Sequence, residues 1–142
     1  MASRNQVHIA ISLAPEAWRP ILRTYRFSLM AANKASRTID AYVDATRHLA
    51  TFLDDPHDPV PLADIQREHI EAFLVSQLER LTAGTANNRY RALRMFFAWA
   101  TEKGEIRVNP MLHVARPALV ETRTQVLLDD QLRRILTACE GN

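Results

Sequence analysis

Asn87, Asn88, Arg91 and Arg94 stand close together in the stretch Thr85-Ala-Asn-Asn-Arg-Tyr-Arg-Ala-Leu-Arg94. A guanidinium offers a planar fork of donors that fits phosphate oxygens or the edge of guanine, and a side-chain amide both donates and accepts, as the major-groove edge of adenine requires. On a helix Asn87, Arg91 and Arg94 fall on one side, with Asn88 at its edge. Ala86, Tyr90, Leu93, Phe97 and Ala100 fall on the other, at the spacing of a buried stripe. No acid interrupts Thr85 to Thr101. The chemistry implied is non-covalent recognition of a polyanion. Thr85 is the expected N-cap and Gly104 the expected C-terminal stop. Arg89 lies nearer the buried flank and is expected to pair with a neighbouring side chain.

A second constellation begins at Ser36, the expected N-cap of a helix reaching about Leu53. Ile39, Tyr42, Val43, Thr46, Leu49 and Leu53 line its apolar side. Arg37, Ala41 and His48 share the far side, flanked by Thr38 and Ala45. Small residues between an arginine and a histidine allow close approach to a backbone or a groove floor. Asp44 lies there too and opposes phosphate, so a plain solvated face carries equal weight at this helix. Arg37 and Thr38 are its candidate DNA contacts.

Covalent and metal chemistry find no such footing. Asp54-Asp-Pro-His-Asp-Pro-Val-Pro61 holds four potential ligands, but its three prolines oppose wrapping one ion and the spacing fits no standard site. It is read as a connector, with no metal and no cofactor expected. Tyr25, Tyr42 and Tyr90 all fall on apolar stripes and are expected to pack. The single cysteine, Cys139, makes no internal disulfide. No group of residues supplies a nucleophile, a base and an orienting partner together.

The elements that must position these side chains read as helical. The chain has 142 residues, only three glycines, and apolar residues mostly at helical spacing, which points to an all-α fold. The net charge of +2 hides a division. Residues 1–50 have seven basic residues against three acids, 51–82 two against seven, 83–126 seven against three, and 127–142 two against three. Two basic blocks around an acidic one fit a chain whose first and third parts face a polyanion. No apolar run is long enough to span a bilayer and no signal-peptide layout opens the chain, so a cytoplasmic protein with no membrane partner is expected.

In order, residues 1–14 read as a flexible arm. A first helix runs from about Pro20 to Ala32, anchored by Trp18, Ile21, Leu22, Tyr25 and Leu29, with Arg19, Arg23 and Arg26 as a solvated face. A third, acidic helix spans about Ile65 to Leu81, with Ile70, Phe73, Leu74, Leu78 and Leu81 inward. Asn109-Pro110 ends the bundle. Residues 111–126 form an extended basic tether carrying Arg116 and Arg123, and Asp129 to Ala138 a short amphipathic helix.

This order of parts resembles the N-terminal half of the tyrosine recombinases, the phage-integrase family. The similar segments are Ser36-Arg-Thr-Ile-Asp-Ala-Tyr42, Leu62-Ala-Asp-Ile-Gln-Arg-Glu-His-Ile70, the Thr85 helix to Phe97, Gly104-Glu-Ile-Arg-Val-Asn-Pro110, and Val126 to Leu136. The resemblance implies a four-helix, SAM-like orthogonal bundle over residues 15–110, the core-binding domain, clamping duplex DNA. It also implies a DNA-tracking linker over 111–126 and the start of a catalytic domain at 127–142. The family's second and fourth bundle helices enter the major groove, which here are the Ser36 and Thr85 helices. The expected DNA contacts are thus Arg37, Thr38, Asn87, Asn88, Arg91 and Arg94, with Arg116 and Arg123 from the tether. The family's tyrosine nucleophile and its activating arginines, lysine and histidine belong downstream of Asp129, so this chain is not expected to catalyse. His113-Val-Ala-Arg116 matches a family motif only in text, since it sits in the tether. The expected partners are double-stranded DNA and, through the full-length parent, further copies on DNA, with no small-molecule ligand. The competing reading is a helical protein-interaction module that does not touch DNA.

Overall fold

The computed structural model describes residues 10–118, and among these every regular element is helical. Four long α-helices follow one another: α1 Arg19–Ala31, α2 Ser36–Leu53, α3 Arg67–Arg80 and α4 Ala83–Glu102. Short 3-10 turns at Glu16–Trp18 and Leu62–Asp64 lead into α1 and α3. Helix α4 packs against both α2 and α3, most extensively against α2.

The core forms because each helix presents a stripe at helical spacing. Leu22, Tyr25 and Leu29 of α1 meet Ile39, Val43 and Leu49 of α2 and Leu93, Phe96 and Phe97 of α4. At its centre Tyr25 stands edge-on to Phe96, with ring centroids 5.1 Å apart, and Trp99 lies 4.8 Å from Tyr25. Trp99 Nε1 donates to Ser28 Oγ at 3.0 Å, tying α4 to α1. On the other flank Phe52 of α2 meets Phe73 of α3 edge-on at 5.5 Å. All three tyrosines pack as expected: Tyr25 and Tyr90 are buried, Tyr42 partly so. Burial raises the Tyr25 phenol well above its ordinary range, with Tyr42 adding to it.

The helix ends show why the bundle turns where it does. Gly104 takes the left-handed conformation at φ 77°, and the amides of Gly104 and Glu105 donate back to the carbonyls of Thr101 and Ala100. Asn33, at φ 56°, closes α1 in the same way through Met30 and Leu29. Two expected caps move. Thr82, not Thr85, caps α4, its Oγ1 accepting from the Thr85 amide at 3.1 Å. Ser36 is the first residue of α2 and Ala35 stands at the cap without a side-chain bond.

Three other expectations are corrected. The last part of the arm expected over 1–14 is structured: residues 10–13 are helical, and Ala10, Ile11 and Ala14 are buried. In α3 the inward position after Leu74 belongs to Gln77, while Leu78 is exposed on the flank of the stripe and Leu81, also exposed, follows the end of the helix in an extended conformation and so leaves the helical register. The bundle does not end at Pro110. Residues 110–113 turn, Met111 and Val114 are buried, and the Tyr90 hydroxyl donates to the Val114 carbonyl at 3.2 Å. The core therefore extends through Val114, with Ala115 and Arg116 exposed just beyond it. Arg123 and the helix expected at Asp129 to Ala138 lie outside the described residues.

Candidate nucleic-acid interface

Helix α4 separates its two sides as its sequence demands. Ala86, Tyr90, Leu93, Phe97 and Ala100 are all buried, while Asn88, Arg91 and Arg94 are exposed. Neither Arg91 nor Arg94 makes an ion pair among the described residues. Their charge is uncompensated and available to a ligand. Asn87 is less open: it is half-buried, and its Oδ1 is shut from water without a hydrogen-bond partner.

On α2, Arg37 and Ala41 are exposed and Thr38 is half-buried, whereas Ala45 is buried and belongs to the core rather than to the outer face. Arg37 makes no ion pair among the described residues. Further along the helix Asp44 is engaged twice. Arg47 donates to Asp44 Oδ1 from Nη2 at 2.9 Å and from Nε at 3.2 Å, and His48 Nε2 lies 3.3 Å from Oδ2. The hydrogen bond from His48, with Arg47 beside it, outweighs desolvation and pulls the Asp44 carboxyl down to about 2. The carboxylate that opposes phosphate on this face is thus held ionised and screened by its own helix.

A groove of about 450 Å³ opens between α2, α3 and α4, lined among others by His48, Ser76, Gln77, Arg80 and Arg89. Arg89 makes no ion pair among the described residues, which corrects the expectation that it pairs with a neighbour. Burial lowers its pKa first; Asp44 raises it, and Arg47 and Arg80 lower it further. Two like charges and one carboxylate therefore act on Arg89 across three helices. Sequence reasoning passed over this cluster. Its available signal was Gln77, a polar residue at the i+7 position of a buried stripe.

Arg116 is exposed, two residues beyond the buried Val114. In the connector, Asp55 Oδ1 accepts from the His57 amide at 2.8 Å and shapes the turn there. Among the described residues no helix is long and apolar enough to cross a membrane.

With this geometry in view, residues 21–104 match the family described as phage integrase, N-terminal SAM-like domain. The chain belongs to this family. It is 27% identical over 117 residues to a tyrosine recombinase XerC of Mycobacterium sp. (strain JLS), a match covering 82% of this chain and 39% of that protein. It also superposes on the integrase from mycobacterium phage Brujita with a TM-score of 0.62 and 25% identity, over 72% of this chain and 34% of the phage protein. The fold is thus the all-α, SAM-like domain found at the N-terminus of tyrosine recombinases. The match to the curated relative spans about two fifths of that protein's length.

Proposed function

We propose that this chain grips one side of duplex DNA as the core-binding domain of a site-specific tyrosine recombinase acting in the cytoplasm. The observation that carries this is the outer side of α4, where Arg91 and Arg94 stand exposed and unpaired on a stretch without acids. Helix α2 supports it. It is the helix α4 packs against most extensively, and it carries exposed Arg37 beside Thr38. In this reading Arg37, Arg91 and Arg94 hold phosphates or guanines, and Thr38, Asn87 and Asn88 touch base edges or sugar-phosphate. Arg116 and Arg123 follow the backbone through the tether, and residues 127–142 begin the catalytic domain. Strand cleavage, by a tyrosine attacking phosphorus, is the work of the part of the relatives that this match does not reach. Copies of the full-length protein assemble on the DNA.

The test is a titration of a short labelled duplex at several salt concentrations. Binding is expected to be weak, about micromolar or worse, and to weaken steeply with salt. Arg91→Ala and Arg94→Ala each lower the slope of log K against log salt by about one and leave the unfolding midpoint within the small range of surface changes. Unchanged affinity in both variants would remove the assignment. The interaction-module reading draws on the exposed apolar side chains of α1, Phe27 at 71% and Met30 at 42%. It predicts no binding at low salt, or binding that ignores salt.

A further inference from the structure

The groove between α2, α3 and α4 is a cationic site outside the contacts assigned above. Its walls bring His48 from α2, Arg80 from the last turn of α3 and Arg89 from α4 around one opening, with the hydroxyls of Thr51 and Ser76. Arg80 and Arg89 make no ion pair among the described residues. The nearby carboxylate, Asp44, is committed to Arg47 and His48. The second observation is Gln77. It is 5% exposed, it lines the groove, and its Oε1 has no hydrogen-bond partner. A buried amide oxygen left unpaired is costly, and an arginine drawn inward by an anion satisfies it with one of its remaining N–H groups.

We propose that this groove clasps one backbone phosphate of duplex DNA, held between the Arg80 and Arg89 guanidiniums with the hydroxyls of Thr51 and Ser76 completing its shell. The inference rests on the DNA-binding reading and deepens it. The chemistry suits phosphate because the site offers donors in excess, from two planar forks and two hydroxyls, to a group with several acceptor oxygens. Placement favours a duplex over an acidic peptide. His48 lies on the same side of α2 as Arg37, so the groove opens beside the outward face of that helix, on the flank of α4 away from Arg91 and Arg94. A backbone strand running along α2 from Arg37 meets it there.

The test uses the whole chain with three probes: a labelled duplex, inorganic phosphate and an acidic peptide. Arg80 is exposed at the end of α3, so Arg80→Gln keeps the fold, and an unchanged melting midpoint verifies this. It is expected to lower the log–log salt slope for the duplex by about 0.9, a loss of about fivefold to tenfold near 0.1 M salt. In the unaltered chain the side-chain amide signal of Gln77 shifts when duplex is added. If the unaltered chain binds duplex with a steep salt dependence while Arg80→Gln keeps the full slope and the Gln77 signal stays still, the clasp is wrong and the DNA-binding reading stands. If the unaltered chain ignores duplex at low salt, both fall. A Gln77 signal that moves with the acidic peptide or with inorganic phosphate, and not with duplex, gives the groove a protein carboxylate or a free anion and overturns the proposal.

Discussion

Asp44 sits at the junction of stability and binding. Its carboxyl is pulled from 3.8 to about 2 by the His48 hydrogen bond and by Arg47. A carboxyl whose folded pKa lies below its unfolded value adds stability above the unfolded value and loses it as pH falls through the folded one. The contribution is therefore complete above pH 5, declines from about pH 4, and is gone below about pH 2. Asp44 is half exposed, so solvent screening reduces the shift to about 1 kcal/mol. Asp44→Asn is expected to lower stability by that amount at pH 7, read by urea denaturation, and to remove most of the acid-side loss. On binding the sign reverses. Removing a carboxylate from the α2 outer side and releasing Arg47 raises duplex affinity severalfold at low salt, read by anisotropy. A variant that lost affinity as well as stability would mean that Asp44 positions Arg47 and His48 for the ligand. The opposition of Asp44 to phosphate was legible in the sequence. So was the i, i+3, i+4 spacing that lets one carboxylate meet both partners, but the choice of those partners over DNA depends on side-chain geometry that spacing alone leaves open.

At the scale of the element, the helices were legible from periodicity and their ends from residue type, with instructive slips. Thr82 and Thr85 are both good caps, and Gly84 between them breaks the pattern that would place Thr82 first. Thr82 takes the cap because its hydroxyl reaches the Thr85 amide. The leucines at 78 and 81 suggested a wider stripe than α3 buries, since Leu78 lies on the flank of the side marked by Ile70, Phe73, Leu74 and Gln77 and Leu81 follows the end of the helix. Gly104 was read correctly, and its role gives a prediction. A Cβ there would meet nothing within 4 Å, so the cost of Gly104→Ala is purely that of holding an L-residue at φ 77°. The expected loss is about 1 kcal/mol, visible as a lower denaturation midpoint with duplex affinity unchanged. A loss of affinity at full stability would tie the Gly104 turn to the ligand instead.

At the scale of the whole molecule, the sequence was silent on what returns to the core from far away. Ala10, Ile11 and Ala14, like Pro110, Met111 and Val114, fall within little more than one turn's length each, too short for their spacing to stand out as a buried stripe. They are inward because the bundle leaves apolar surface that only a folded neighbour can cover, and that surface exists only once α1 and α4 are packed. The consequence at the C-terminal side is mechanical. Met111 and Val114 are buried, Tyr90 bonds the Val114 carbonyl, and Asn109 Oδ1 accepts from the Met111 amide at 2.9 Å, so the chain is anchored to within two residues of Arg116. Arg116 is therefore placed by the bundle and not by a long free tether. Met111→Ala should cost about 2–4 kcal/mol, as truncation of a buried methionine does, and exposed His113→Ala within about 0.5 kcal/mol of nothing. The pairing of these variants separates anchoring from local charge. If Met111→Ala also removes the contribution of Arg116 to the salt slope in chain that is still folded, the anchor is what delivers Arg116 to DNA. If the slope is untouched, Arg116 reaches the backbone from any position the tether allows, and the boundary at Val114 matters to stability alone.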